Sequence, residues 1–330
     1  MKKMIYIISV VILALAQSAC VREFPGLNPD GSEGVDPTLV TVDVALSLDL
    51  SLEPLVPVHH FRSESEPMMR FVVEFARDGV VVERVETFVD PSTVSQGKLE
   101  LPLSVKLHAL EYNVAVWGDF VDGSSHEPLC YDSSNLYAVS CLRPYAGCMD
   151  ERQCFCGVTA LDLRPWRNQW NASVTVPVEL RRPQAKYRII ATDVDEFLSR
   201  GTKARGGYTV KFRYGIMPWQ YDAWAGTIDG YMDGMDFTVP LELSTASDGT
   251  VQMGFDWLFA VNNISEVRLS LTLFDEYLVP VSHVTDIAVP LQRGKLTTIT
   301  GDFLTNEVGG AISIDTEWAG TVEIDAEVSY

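Results

Sequence analysis

From residue 40 to residue 52 the chain alternates without a break. Val40, Val42, Val44, Leu46, Leu48, Leu50 and Leu52 fall on one side, and Thr41, Asp43, Ala45, Ser47, Asp49 and Ser51 on the other. A two-residue period over that length predicts a long β-strand with one buried face. The rhythm returns in Phe71, Val73 and Phe75, which lead into Asp78-Gly79, a hairpin dipeptide, and a return run over residues 80–88. Leu99, Leu101, Leu103, Val105 and Leu107 alternate around Pro102, a residue suited to an edge or bulge. Tyr112, Val114 and Val116 follow, and Ala172 through Leu180 in steps of two complete a first set. Arg181-Arg182-Pro183 punctuates the chain. A second set then covers residues 186–191, 208–214, 237–243, 251–261, 267–274, 296–303 and 321–328. Residues 193–200 are the one good short helix, with Thr192 as its cap.

Short alternating runs between Gly, Pro and Asp turns, with no βαβ alternation, predict an all-β protein of two tandem antiparallel β-sandwich domains. The expected domains are residues 38–183 and 184–330, meeting near Pro183. A chain of 330 residues suits two domains at about 150 residues each. The 47% hydrophobic content can build real cores and excludes intrinsic disorder. A net charge of −20 excludes a nucleic-acid partner, because a phosphate-binding surface needs clustered Lys and Arg.

The first residues read as an address. Lys2 and Lys3 precede an apolar stretch at 4–16, too short to span a bilayer, which ends in Gln17-Ser18-Ala19-Cys20. Small residues before a cysteine resemble a bacterial lipoprotein signal, although Gln17 stands where Leu is commoner. The resemblance implies a signal peptide at 1–19 and a diacylglycerol on Cys20, which becomes the first residue. Membrane lipid is then a partner through acylated Cys20. The expected location is the outer membrane, at the cell surface rather than its periplasmic face. Residues 20–37, rich in Gly, Pro, Asp and Glu, read as a flexible tether. Losing residues 1–19 removes two lysines and no acid, so the mature chain is more acidic still.

Catalytic patterns are absent from the sequence: there is no G-x-S-x-G, H-E-x-x-H or phosphate loop. No enzyme activity, cofactor or metal is expected. His59 and His60 are neighbours without an evident third ligand, and read as an exposed loop pair. Cys130, Cys141, Cys148, Cys154 and Cys156 cluster in one segment. In an exported protein they are disulfide candidates, Cys130–Cys141 and Cys148–Cys154 among them. Buried reduced thiols are the alternative, and a zinc site with His126 lacks paired C-x₂-C spacing. Asp193, Asp195 and Glu196 read as helix-start residues, and Asp229, Asp233 and Asp236 as turn residues, rather than calcium ligands. Residues 217–231 read as an aromatic loop. There Trp219, Tyr221 and Trp224 either contact a ligand such as a sugar ring or plug the end of a sandwich.

Several stretches together resemble one family. These are Arg182-Pro183 before Ala185-Lys186-Tyr187; Asp193-Val194-Asp195-Glu196-Phe197; Val289-Pro290-Leu291-Gln292-Arg293-Gly294-Lys295; Thr297 through Thr305; and Gly310 through Asp315 with Trp318-Ala319-Gly320. They are similar to fimbrillin-related lipoproteins of the Bacteroidales type, and closest to an uncharacterised branch rather than a major pilin. The resemblance implies two transthyretin-like sandwiches and no active site. It also implies that an Arg-specific protease, cutting at Arg62 or Arg70, can remove the first strand (residues 40–52). The vacated groove then accepts a donor strand from another subunit, with residues 321–328 as the candidate donor. An anchor or stand-alone lipoprotein would keep its first strand. The expected function is a non-enzymatic fimbrial or adhesin-like subunit or anchor, with other fimbrial subunits or a host ligand as partners. The alternative is a glycan-binding surface lipoprotein of a nutrient-uptake system.

Overall fold

The computed structural model describes residues 35–53, 55, 66–94, 97–200, 207–243 and 249–306, and the backbone of 320–325. The first half contributes β1 (Thr41–Asp49), β2 (Met68–Arg77), β3 (Val80–Val89), β4 (Lys98–Glu100), β5 (Val105–His108), β6 (Glu111–Val121), β7 (Tyr131–Asp132), β8 (Val139–Cys141), β9 (Phe155–Asp162) and β10 (Ala172–Glu179). The second contributes β11 (Gln184–Ala191), the helix α1 (Val194–Ser199), β12 (Tyr208–Tyr214), β13 (Ile216–Asp222), β14 (Thr227–Asp233) and β15 (Asp236–Leu241). It ends with β16 (Val251–Phe259), β17 (Ser265–Phe274), β18 (Pro280–Leu291), β19 (Leu296–Gly301) and β20 (Gly320–Asp325).

The chain is nearly all β, as its alternation predicts. Among the described residues five sheets form, ordered β10-β1-β4 with β5 also on β1, β3-β2-β6-β9, β14-β13-β8-β7, β15-β12-β17-β18 and β16-β11-β19-β20. Most registered pairs are antiparallel, but β11 and β19 run parallel from Lys186 opposite Leu296 to Ala191 opposite Gly301. The expected antiparallel sheets form, with this one parallel pair among them. A parallel neighbour needs a long connection, and here the chain between β11 and β19 supplies it.

By packing, the chain forms two compact units that interleave along the sequence. Among the described residues, one comprises those up to 46 with 103–113 and 160–176, and the other those within 47–102, 114–159 and from 177 onward. In the first, Val40, Val42, Val44, Leu46, Leu107, Ala109, Leu110 and Leu163 are buried. The second holds a large core that includes Trp117, Tyr131, Tyr187, Phe212, Tyr214, Tyr221 and Phe259.

Local chemistry explains most elements. Asp78 (φ 51°) and Gly79 (φ 76°) are both left-handed, as a two-residue hairpin between right-twisted strands requires. Pro102 stands outside any strand and separates β4 from β5, since it cannot donate to a ladder. Two readings change. The cap position of α1 is Asp193, not Thr192, whose hydroxyl donates instead to Asp302 Oδ1 at 2.8 Å. Residues 217–231 are not a loop but most of the β13–β14 hairpin.

Candidate functional site

The strongest candidate site is the seat of β1. Val42, Val44 and Leu48 are 0% exposed and Leu46 1%, while the intervening side chains stay half-buried. Within the first unit, Thr41–Val44 pair with β5, Val42 opposite Leu107. Within the second, Ser47–Asp49 pair with β4, Leu48 opposite Leu99. With β10 on its other side, β1 is interior to its sheet. Such a strand is held by a backbone ladder, common to any sequence, and by alternate aliphatic side chains in pockets. Any strand with the same spacing of aliphatics meets both demands.

The cleavage residues divide. Arg62, like His59 and His60, lies outside the described residues, as do Cys20 and the tether up to residue 34. Arg70 is described, and it is not a free loop residue. It lies in β2, donates from Nε and Nη2 to Asp119 at 2.9 and 2.7 Å, and also reaches Ser133 Oγ at 2.9 Å. Burial pushes the Asp119 carboxyl up and Arg70 draws it back down. A protease must have extended, accessible chain, so cutting after Arg70 requires opening β2. The candidate donor strand is β20, which pairs antiparallel with β19 from Leu296 opposite Asp325 to Gly301 opposite Gly320. Its position in this structure is thus within the chain's own sheet.

The cysteine segment is built differently. None of the five thiols is in a disulfide, so the pairings Cys130–Cys141 and Cys148–Cys154 are not made. Cys130, Cys141, Cys154 and Cys156 are buried and Cys148 half-buried. Burial pushes the Cys130 thiol up to about 12, and Cys148 and Cys156 each up to about 11. These are protonated thiols at neutral pH, poor as nucleophiles or metal ligands.

What fixes the segment is a polar network that the sequence did not advertise. Arg152 is 2% exposed, with Nε 3.2 Å from Asp256 Oδ1. Its guanidinium lies 4.3 Å from the centre of the Tyr145 ring and 5.4 Å from that of Tyr131. Asp256 Oδ2 accepts from the hydroxyls of Tyr145 at 2.6 Å and Tyr214 at 2.8 Å, and Oδ1 from the Trp257 backbone N–H at 2.8 Å. Tyr187 and Tyr214 share a 2.5 Å hydrogen bond. Gln184 donates to Tyr131 Oη at 2.6 Å and to the Arg152 carbonyl at 2.8 Å, and its Oε1 accepts from the Cys154 N–H at 3.0 Å. Burial raises the Asp256 carboxyl, and the adjacent Arg152 opposes it. Gly147 completes the fit: a Cβ there would stand 2.4 Å from the Phe237 ring. A buried charge pair whose carboxylate accepts three hydrogen bonds positions chain rather than presenting a free nucleophile.

The aromatic ligand candidates separate as well. Trp219 is 9% and Tyr221 0% exposed, both inside the core, and Tyr221 stacks on Phe259 at 5.3 Å. Of the two readings open for them, both take the packing one: pairing of β13 with β8 turns their face inward. Trp224 is half-buried, stacks with Tyr137 at 5.6 Å and donates its indole N–H to Glu74 at 3.0 Å. The Asp193 carboxylate accepts the backbone N–H groups of Leu304 and Thr305 at 2.9 and 2.8 Å and the Thr305 hydroxyl, so it ties a turn to α1. Asp229, Asp233 and Asp236 lie on strands with exposed side chains, not in turns. Among the described residues, no group of three His, Cys, Asp or Glu is arranged to hold a metal ion. No helix among them is long and apolar enough to cross a membrane.

Comparison with known proteins adds a family. No curated protein matches the sequence. Among solved structures, a candidate cell adhesion protein from Parabacteroides distasonis is similar at 10% identity and TM-score 0.46, over 87% of this chain and 99% of that one. The fimbrial anchor protein Mfa2 from Porphyromonas gingivalis is similar at 10% identity and TM-score 0.42, over 86% of this chain and 97% of that one. A candidate cell adhesion protein from Bacteroides eggerthii is similar at 11% identity and TM-score 0.44, over 86% and 95%. A family model spans residues 37–329, most of the chain, and by that match the protein belongs to the family of unknown function DUF6562.

Proposed function

We propose that this protein is a non-enzymatic lipoprotein of the cell envelope, a fimbrial or adhesin-like subunit or anchor that assembles by β-strand addition. The observation that carries the reading is β1: four consecutive alternate residues, Val42 to Leu48, are at most 1% exposed in an interior strand. That is the arrangement in which one strand can replace another without loss of backbone hydrogen bonds or pocket filling. The sequence supports acylation at Cys20, anchoring in the outer membrane at the cell surface, and two successive domains meeting near Pro183. Arg62 is the favoured processing point, because Arg70 is buried and paired in β2. Other subunits of the same architecture are the partners. The glycan-binding alternative rested on Trp219, Tyr221 and Trp224, and two of these are core.

The test is processing and complementation. The mature chain is treated with an Arg-specific protease and its new N-terminus sequenced, and a variant lacking residues 38–52 is offered a synthetic peptide of residues 40–52. Cleavage at Arg62, and recovery of the thermal transition by the peptide but not by a scrambled one, are expected. An uncut chain, or a deletion variant indifferent to the peptide, overturns strand addition.

A further inference from the structure

Two of the buried ion pairs described above use arginine, Arg70 with Asp119 and Arg152 with Asp256. A guanidinium keeps its proton, so such a pair can only hold structure. A third pair uses lysine. Lys186 Nζ lies 3.3 Å from Asp150 Oδ1, with side chains 13% and 5% exposed. An ammonium is the cation that gives up its proton when water is removed, and the amine left behind is a nucleophile. Lys186 stands on β11, between β16 and β19, opposite Trp257 and Leu296. Its Nζ is 4.4 Å from the centre of the Phe255 ring and 4.8 Å from that of Trp257, and both rings are buried. The Arg182 guanidinium lies 5.5 Å from the same Trp257 ring. Burial holds the Lys186 amine below its usual range; Asp150 opposes that and Arg182 adds to it. Asp150 opens a single helical turn, and its carbonyl accepts the Gln153 backbone N–H at 3.2 Å and the Gln153 Nε2 at 3.0 Å. Both partners therefore sit on fixed backbone.

We propose that Lys186 and Asp150 are the two halves of an intramolecular amide, a covalent cross-link that the folded chain makes between Lys186 Nζ and the Asp150 carboxyl carbon. The ammonium first passes a proton along the hydrogen bond to Asp150. That leaves a neutral amine beside a neutral carboxylic acid, a pair that a dry site accepts more readily than two ions. The amine lone pair then adds to the carboxyl carbon. The tetrahedral centre collapses as its hydroxyl takes the proton shed by nitrogen and leaves as water. One C–N bond has formed and one C–O bond has broken, and no oxidant or reductant is needed. A nitrogen already in contact with the carboxyl group needs little motion to reach its carbon, which is how proximity replaces a chance encounter. Exclusion of water favours the condensation and then protects the amide from hydrolysis.

The bond would join positions 36 residues apart and tie the cysteine segment to an interior strand of its neighbouring sheet. Closing a loop in this way lowers the entropy of the unfolded chain. It does the work of the disulfides that the five thiols do not make, and an amide withstands reductants. The cross-link leaves β1 in its place and goes beyond the function proposed above.

The experiment is mass spectrometry of the mature, unlipidated chain, purified folded and then denatured. The wild type is expected to weigh one water less than its sequence. Its tryptic digest should contain a peptide with Asp150 joined to a peptide with Lys186. Lys186→Arg and Asp150→Ala should each restore the full mass and separate the peptides. Lys186→Arg keeps the charge pair, so it removes the nucleophile without removing the contact. Asp150→Asn should give the same joined peptides with loss of ammonia in place of water, because an amide carbon accepts the same attack. Dehydration of an aspartate to a cyclic imide also removes one water, but it leaves the peptides separate and survives Lys186→Arg. A wild type of full sequence mass overturns the proposal. So does a water loss that persists in Lys186→Arg, or a digest in which the two peptides are never joined.

Discussion

The β1 seat and the cysteine segment are both buried, yet they are held by opposite chemistry. In β1 the contacts are hydrocarbon, and the polar groups are backbone atoms answered by backbone atoms. In residues 130–156 the fixing contacts belong to particular side chains: Arg152 on Asp256, Tyr145 and Tyr214 on the same carboxylate, Gln184 between Tyr131 and Cys154. Backbone ladders and aliphatic pockets accept any strand of the right period. A network of buried charges accepts only its own residues. Under the proposed strand addition, the first region is open to exchange and the second is not.

The sharpest way to break the comparison is Arg152→Met. It leaves Asp256 buried with its tyrosines but without a countercharge, and should cost about 3–5 kcal/mol, read from the urea midpoint. Adding Asp256→Asn to that variant should return part of the loss, because the stranded charge is gone. In β1, Val44→Ala removes two buried methyl groups and should cost about 1.5–3 kcal/mol, with no such recovery available from a second site.

The cysteine segment should also respond to alkali in a way that β1 cannot. Unfolded thiols ionise from about 9, whereas Cys130 in the folded chain holds its proton to about 12 and Cys148 and Cys156 to about 11. Between those limits the folded state binds more protons than the unfolded, so stability is lost as pH rises. Each thiol contributes a slope of about 1.4 kcal/mol per pH unit within its window. Urea midpoints at pH 8, 9 and 10 measure it, and Cys130→Ala should flatten it. The smallest effect should come from Ser47→Ala, on the half-buried face of β1, at about 0.5 kcal/mol or less.

These regions were also unequally legible. The period of two from Val40 to Leu52 foretold β1, although the strand ends at Asp49 and Leu52 is exposed, and Asp78-Gly79 foretold the β2–β3 hairpin. β13 and β14 were hidden because Pro218, Gly226 and Gly230 weaken the strand signal, and β13 gains its partner from the distant β8. Trp219 and Tyr221 went inward for the same reason. Arg152 gave no signal at all: a charged residue in a cysteine-rich stretch reads as exposed until its partner, more than a hundred residues away, is known.

The sequence by itself determined the all-β class, most strand positions, the buried face of β1 and the absence of a recognisable catalytic motif. These are local properties, set by the pleat, by the conformations open to Asp-Gly and by side-chain polarity. Only the tertiary structure decided that β11 and β19 run parallel, that Arg70 is locked to Asp119, and that a carboxylate, a guanidinium and three tyrosines meet in the core. Each of these depends on which distant segments share a low-dielectric interior, and the energy of a charge or hydroxyl there is set by its neighbours rather than by its own chemistry.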